Sequence, residues 1–202
     1  MSPADTAVCF LVVEDDSAVA MSYRRILSAY GDVRIVDTVA TARQAIANGE
    51  ATGLITDISL PDGSGLDVAR EARGSAKNLP ILIISGNVDQ ERLDAAYQLH
   101  AAFLLKPVGR RQLQVFAERA IQRQRRSATL ILAWANRYKL SAAETVTLRL
   151  AIDGLRRDEI AAARGVSANT VKSQIGTLLS KVGAPTIDQA VALFYGELSM
   201  MT

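Results

Sequence analysis

Five polar side chains stand where short apolar runs end. Glu14 and Asp15 follow Val8–Val13, Asp57 follows Gly53–Thr56, Ser85 closes PILIIS (80–85), and Lys106 follows Ala101–Leu105. Three carboxylates brought into one cleft repel one another and need a cation. Hard oxygen ligands with room for water suit Mg2+, which also draws in a phosphoryl group. Lys106 offers a fixed positive charge to one phosphoryl oxygen, and Ser85 a hydroxyl to another. A carboxylate nucleophile with such neighbours, Asp57, makes a phosphoryl-accepting site. Singly, each residue has an ordinary reading as a helix cap, a turn residue or a solvated lysine. Their recurrence at successive strand ends favours the joint reading.

The elements that must position them alternate from the start. Val8–Val13 is apolar throughout, the mark of a strand covered on both faces. A helix is expected over Ser17–Ala29, a strand over Val33–Val36, and a helix over Thr38–Asn48. The strand reaching Asp57 is third, with a helix over Leu66–Arg73. PILIIS is fourth, with a helix over Asp89–Leu99, and Ala101–Leu105 is fifth. Leu113, Phe116, Ala117, Ala120 and Ile121 then recur at helical spacing. This pattern predicts an α/β doubly wound, five-stranded parallel sheet with helices on both faces. Ligands of such sheets bind at the carboxyl ends of the strands.

Charge divides the chain. Residues 1–109 carry nine Lys/Arg against fourteen Asp/Glu, residues 110–125 five against one, and residues 126–202 nine against six. An acidic front and a basic back suggest two domains with different partners. An apolar fraction of 49% fits a packed core. The single cysteine, Cys9, leaves no internal disulfide, and with no signal sequence a reducing cytoplasm is expected. No apolar run approaches the ~18 residues of a membrane span.

VVEDD (12–16), TDISLPDGSG (56–65), LIISG (82–86) and FLLKP (103–107) resemble the receiver domain of bacterial two-component response regulators over residues 8–125. The resemblance implies a flavodoxin-like sheet of order 2-1-3-4-5. It implies Asp57 as phosphoacceptor, with Glu14, Asp15, Asp57 and the Ser59 backbone carbonyl holding Mg2+. Asp16 is a further acidic neighbour, but the Glu-Asp-Asp pattern favours the first two. Ser85 becomes the switch hydroxyl and Lys106 the phosphate contact, before a cis Pro107. Phe103 takes the switch aromatic position, where Tyr is frequent. Phosphodonors would be a sensor histidine kinase or a small acyl phosphate. Apart from self-phosphotransfer and autodephosphorylation, no enzyme activity is expected.

The second half is helical. Ser141 and Glu144 form a capping box, with Val146, Leu148, Leu150 and Ile152 marking the helix behind it. A short helix over Asp158–Arg164, a glycine turn and a longer helix from Ser167 through Lys181 give a helix-turn-helix pattern. Thr186 to Gln189 opens a last helix with Ala190, Val191, Leu193 and Phe194. LSAAE, GLRRDEIA and GVSANTVKSQIGTLLSKVGA resemble the all-α, four-helix DNA-binding domain of the LuxR/NarL class over residues 139–198. That implies a recognition helix over Ala168–Lys181 in the major groove of promoter DNA. Lys172 and Ser173 would lie nearest base edges, with Asn169, Thr170, Gln174, Thr177 and Lys181 on phosphates or adjacent bases. Arg157, beside Arg156, would contact phosphate. Gly176 stands where a lysine is frequent.

The expected domains are 1–121, a mostly helical linker over 122–138, and 139–202; a flexible tether at 122–128 is the alternative for the joint. The predicted function is a response-regulator transcription factor, expected to act as a homodimer, with RNA polymerase as a further candidate partner. The rival is a receiver whose DNA or partner binding is independent of phosphorylation. A haloacid-dehalogenase-like phosphatase would need an aspartate where Ser59 stands.

Overall fold

A computed structural model of the chain describes residues 8–49, 51–75 and 79–201. Residues 1–7 and 202, which the expected domain bounds include, lie outside it. The chain divides into two compact units between Gln122 and Arg123.

The first unit alternates strands and helices: β1 Cys9–Val13, α1 Ser17–Leu27, β2 Asp32–Val36, α2 Val39–Ala47 and β3 Gly53–Asp57. It continues with α3 Gly65–Ser75, β4 Ile81–Ser85, α4 Gln90–Gln98 and β5 Ala102–Leu105. The five strands form one parallel sheet in the order β2-β1-β3-β4-β5, as expected. Alternate side chains go to opposite faces of a pleated strand. Leu11 and Val13 therefore pack with Ala42 of α2 and Val68 of α3, while Phe10 and Val12 pack with Tyr23 and Leu27 of α1. Helix α1 ends at Leu27, two residues earlier than predicted.

Between β3 and α3, Ser59–Leu60 pairs antiparallel with Gly63–Ser64 in a two-residue ribbon. The Asp62 carboxylate at its tip accepts from the Val39 amide at 2.7 Å and the Ala40 amide at 3.0 Å. Thr38 caps the next amide, that of Thr41. The loop that follows Asp57 is thus fixed to the start of α2, whose unpaired amides attract a carboxylate. Those two backbone bonds hold the Asp62 carboxyl below its ordinary range.

Helix α5 runs without a break from Arg110 to Arg137 and through the division between the units. Leu113, Phe116, Ala117 and Ala120 belong to the core of the first unit. Leu130, Ile131 and Trp134 belong to the core of the second. The last half of α5 is therefore a packed part of the C-terminal unit, which begins well before residue 139.

That unit continues with α6 Ala142–Ile152, α7 Arg157–Arg164, α8 Ala168–Val182 and α9 Ile187–Met200. Ser141 and Glu144 form the capping box at α6. Gly165 ends α7 in the left-handed region at φ 63°, and Ser167 caps α8 two residues later. Glycine suits that position because a side chain there is strained. Trp134, Leu148, Val171 and Phe194 are wholly enclosed, with Trp134 edge-on to Phe194 at 5.4 Å. Of the apolar residues that mark these helices, Val146 and Leu193 are 44% and 54% exposed, and Thr147 and Phe194 take the inward positions beside them.

Candidate functional site

The parallel sheet brings the carboxyl ends of β1, β3, β4 and β5 together. Glu14 is 2% exposed and Asp57 6%, so two carboxylates are buried side by side. Asp15 is exposed, yet one oxygen each from Glu14, Asp15 and Asp57 lies within 4.8 Å of the others. Asp16 is committed elsewhere: its Oδ1 accepts from the Ala18 amide at 2.8 Å and the Val19 amide at 3.1 Å, capping α1. This separates it from the Glu14–Asp15 pair.

Lys106 closes the site from β5. Its Nζ lies 2.7 Å from Asp57 Oδ2 and 2.9 and 3.0 Å from the two Glu14 oxygens. Burial by itself would lower the lysine, but Asp57 and Glu14 outweigh it and hold the ammonium above the usual lysine range. Burial raises Glu14, with Lys106 opposing. Tyr23 of α1 lies beneath; burial first, then the Glu14 charge, push its phenol up to about 12. The other Asp57 oxygen, Oδ1, accepts from the Ser59 amide at 3.3 Å. The Lys106–Pro107 peptide is cis.

The hydroxyl and the aromatic are placed differently from the carboxylates. Ser85 is 1% exposed, and its Oγ donates to the Asn87 carbonyl at 2.5 Å. Phe103 on β5 is half-buried against the core on the α2/α3 face. Sequence patterning did not single out Arg92 of α4, whose Nη1 comes within 3.4 Å of both Ser85 Oγ and the Asn87 carbonyl. An arginine on the polar side of a helix carries no periodic signal; only its offset from Ser85, seven residues on, could have raised it.

A Glu/Asp/Asp set of hard oxygen donors, with one open and two buried members, fits a divalent cation of the Mg2+ type. The cation would offset the repulsion left after Lys106 neutralises one charge.

In the C-terminal unit, Asn169, Thr170, Lys172, Ser173 and Thr177 of α8 are exposed, as is Arg157, which pairs locally with Asp158 at 3.1 Å. A Cβ at Gly176 would meet nothing within 4 Å, so that face of α8 is open. Two residues expected to face DNA are otherwise committed. The Gln174 amide oxygen accepts from Thr147 Oγ1 at 3.0 Å and from Arg164 Nη1. Lys181 Nζ binds Glu144 at 2.6 Å and the Lys139 carbonyl at 3.0 Å, tying α8 to the start of α6. Both long side chains turn back onto buried polar groups, which would be costly to leave unpaired. Among the described residues no helix is long and apolar enough to cross a membrane.

Known proteins resemble this chain in sequence and in fold. The family model described as response regulator receiver domain matches residues 10–118. Response regulator MprA of Mycobacterium tuberculosis is 39% identical over 80 residues, covering 39% of this chain and 35% of MprA. The chain thus matches about a third of that relative's length. Nodulation protein W of Bradyrhizobium diazoefficiens is 28% identical over 196 residues, 94% of this chain and 86% of its own. The crystal structure of full-length FixJ from B. japonicum superposes with a TM-score of 0.52 at 23% identity, covering 96% of this chain and 98% of FixJ, a likeness of fold. With a matched family model spanning the sheet and its acidic site, the chain belongs to the response regulators that carry a receiver domain.

Proposed function

We propose that this chain is a transcription factor controlled by phosphorylation at Asp57, by a sensor histidine kinase or a small acyl phosphate. The observation that carries it is Lys106 Nζ held between Asp57 at 2.7 Å and Glu14 at 2.9 Å, inside a three-carboxylate cluster. Glu14, Asp15, Asp57 and the Ser59 carbonyl would hold Mg2+, which supplies charge neutralisation at the phosphoryl oxygens. An Asp57 oxygen forms the bond to phosphorus as the bond to the donor breaks, and Lys106 balances the charge that develops. The Ser85 hydroxyl turns to a phosphoryl oxygen, and Phe103 moves into the space released. Water later hydrolyses the acyl phosphate and resets the site. Beyond this self-phosphotransfer and autodephosphorylation the chain is not an enzyme.

Incubation with Mg2+ and acetyl phosphate should add one phosphoryl group, read by intact-protein mass spectrometry. Asp57→Asn should show none; equal labelling of that variant defeats the assignment.

The output is promoter DNA, bound by a homodimer through α7 and α8 as a helix-turn-helix of the LuxR/NarL class, with RNA polymerase as a further partner. The exposed run Asn169, Thr170, Lys172 and Ser173, with the open face at Gly176, supports this reading. Lys172→Ala should weaken binding to a footprinted operator about tenfold, the order of one base contact, and flatten the salt dependence. An unchanged gel shift would remove α8 from the groove. Because Gln174 and Lys181 are engaged inside the unit, their replacement should act first on thermal stability, seen in Trp134 fluorescence.

A further inference from the structure

Ser85 must release one partner to take another, because a hydroxyl carries a single proton. At present that proton goes to the Asn87 carbonyl at 2.5 Å, while Oγ accepts from the Asn87 amide at 3.2 Å and from Arg92 Nη1 at 3.4 Å. Turning the hydroxyl to a phosphoryl oxygen takes the proton from the Asn87 carbonyl, and a carbonyl that loses its donor costs free energy. Arg92 Nη1 is already 3.4 Å from that same carbonyl oxygen. Its guanidinium is steadied from behind: Nε pairs with Asp89 Oδ2 at 3.2 Å, and Asp89 Oδ1 caps α4 by accepting from the Arg92 amide at 2.8 Å. A planar group with several fixed N–H bonds can hold Asp89 with one edge and serve Asn87 with the other, which a lysine cannot do.

We propose that Arg92 is a positioning residue of the switch, taking over the Asn87 carbonyl when the Ser85 hydroxyl turns to the phosphoryl group. One bond is exchanged for another: Asn87 O trades Ser85 Oγ–H for Arg92 Nη1–H, and the hydroxyl moves without leaving an acceptor bare. The inference rests on the reading of Asp57 as phosphoacceptor and Ser85 as its hydroxyl partner.

Beryllofluoride with Mg2+, a phosphoryl mimic, tests it on the full chain by 19F NMR titration. Arg92→Met keeps length and helix preference while removing every donor. Against the wild type it should bind beryllofluoride about tenfold more weakly, ~1.4 kcal/mol and the scale of one hydrogen bond. In a Ser85→Ala background the same change should shift affinity less than about twofold, because no hydroxyl proton is then exchanged. Equal binding by wild type and Arg92→Met overturns the inference and leaves the phosphoacceptor reading standing. A tenfold loss in both backgrounds also overturns it, since that is the signature of a long-range charge. No binding by the wild type, or undiminished binding by Asp57→Asn, defeats the phosphoacceptor reading, and the inference falls with it.

Discussion

Gly65→Ala should unfold the N-terminal unit or leave it unable to accept a phosphoryl group. A Cβ built on Gly65 would stand 1.8 Å from the Asp57 carbonyl oxygen, 2.4 Å from Thr56 Oγ1 and 2.8 Å from the Asp57 carbonyl carbon. Two of those three atoms are backbone at the phosphoacceptor itself, so no side chain can swing aside to relieve the clash. Gly65 is also held by its amide, which donates to the Ile58 carbonyl at 2.9 Å. Either that bond breaks or the end of β3 moves, and Asp57 moves with it. Overpacking a well-filled core costs about 1–3 kcal/mol, and a clash with backbone lies at or beyond the upper end. Against the ~5–15 kcal/mol that holds a domain together, this is a large share. Circular dichroism should show the melting temperature of the unit lowered by roughly 10 °C or more. The single tryptophan, Trp134, lies in the C-terminal core and provides an internal control. A variant with wild-type melting and wild-type labelling would show that the β3–α3 junction can yield.

Which parts of this site could be read from residues alone follows from how burial writes itself into sequence. Buried parallel strands are continuous apolar runs, so the polar residues that end them stand out; Glu14, Asp57, Ser85 and Lys106 were legible for that reason. The division of labour between Asp15 and Asp16 was harder, because a carboxylate before a helix can cap it or face a cation, and only Asp16's bonds to Ala18 and Val19 decide. Reach was not legible at all. By helical phase Gln174 and Lys181 flank the apolar stripe of α8, where a long polar side chain can turn outward or inward, and theirs fold back to Arg164 and Glu144. Arg92 reaches back in the same way to Ser85 and to Asn87 in the β4–α4 connection. Residues 122–138 read as a helical linker, because good helix formers without a breaker follow a polar arginine run. Leu130, Ile131 and Trp134 pack with α6, α8 and α9, since a continuous helix carries its apolar stripe past a change in surface charge.

Lys106→Met should separate three roles that the ammonium now combines. First, it should slow labelling by acetyl phosphate by about 100-fold or more, the usual consequence of deleting a charge aimed at a transferring group. Second, it should lower stability in EDTA. Glu14 and Asp57 are nearly enclosed, and Lys106 is the cation bonded to both. Removing one partner of a buried ion pair costs about 3–5 kcal/mol, and less here because the lysine side chain is 27% exposed. Third, it should strengthen the response to Mg2+, because three carboxylates without an internal cation attract a divalent ion more strongly than three that share one. Metal that binds only the folded state adds stability as its concentration exceeds Kd, about 2.7 kcal/mol at 100 Kd. The melting temperature of Lys106→Met should therefore start below the wild type and rise further on adding Mg2+, while labelling stays slow. That combination cannot come from a misfolded variant, which would lose metal binding as well. If Lys106→Met labels at the wild-type rate, the lysine is a structural counter-ion to Glu14 and Asp57 alone, and the charge on the phosphoryl group must be balanced by other residues.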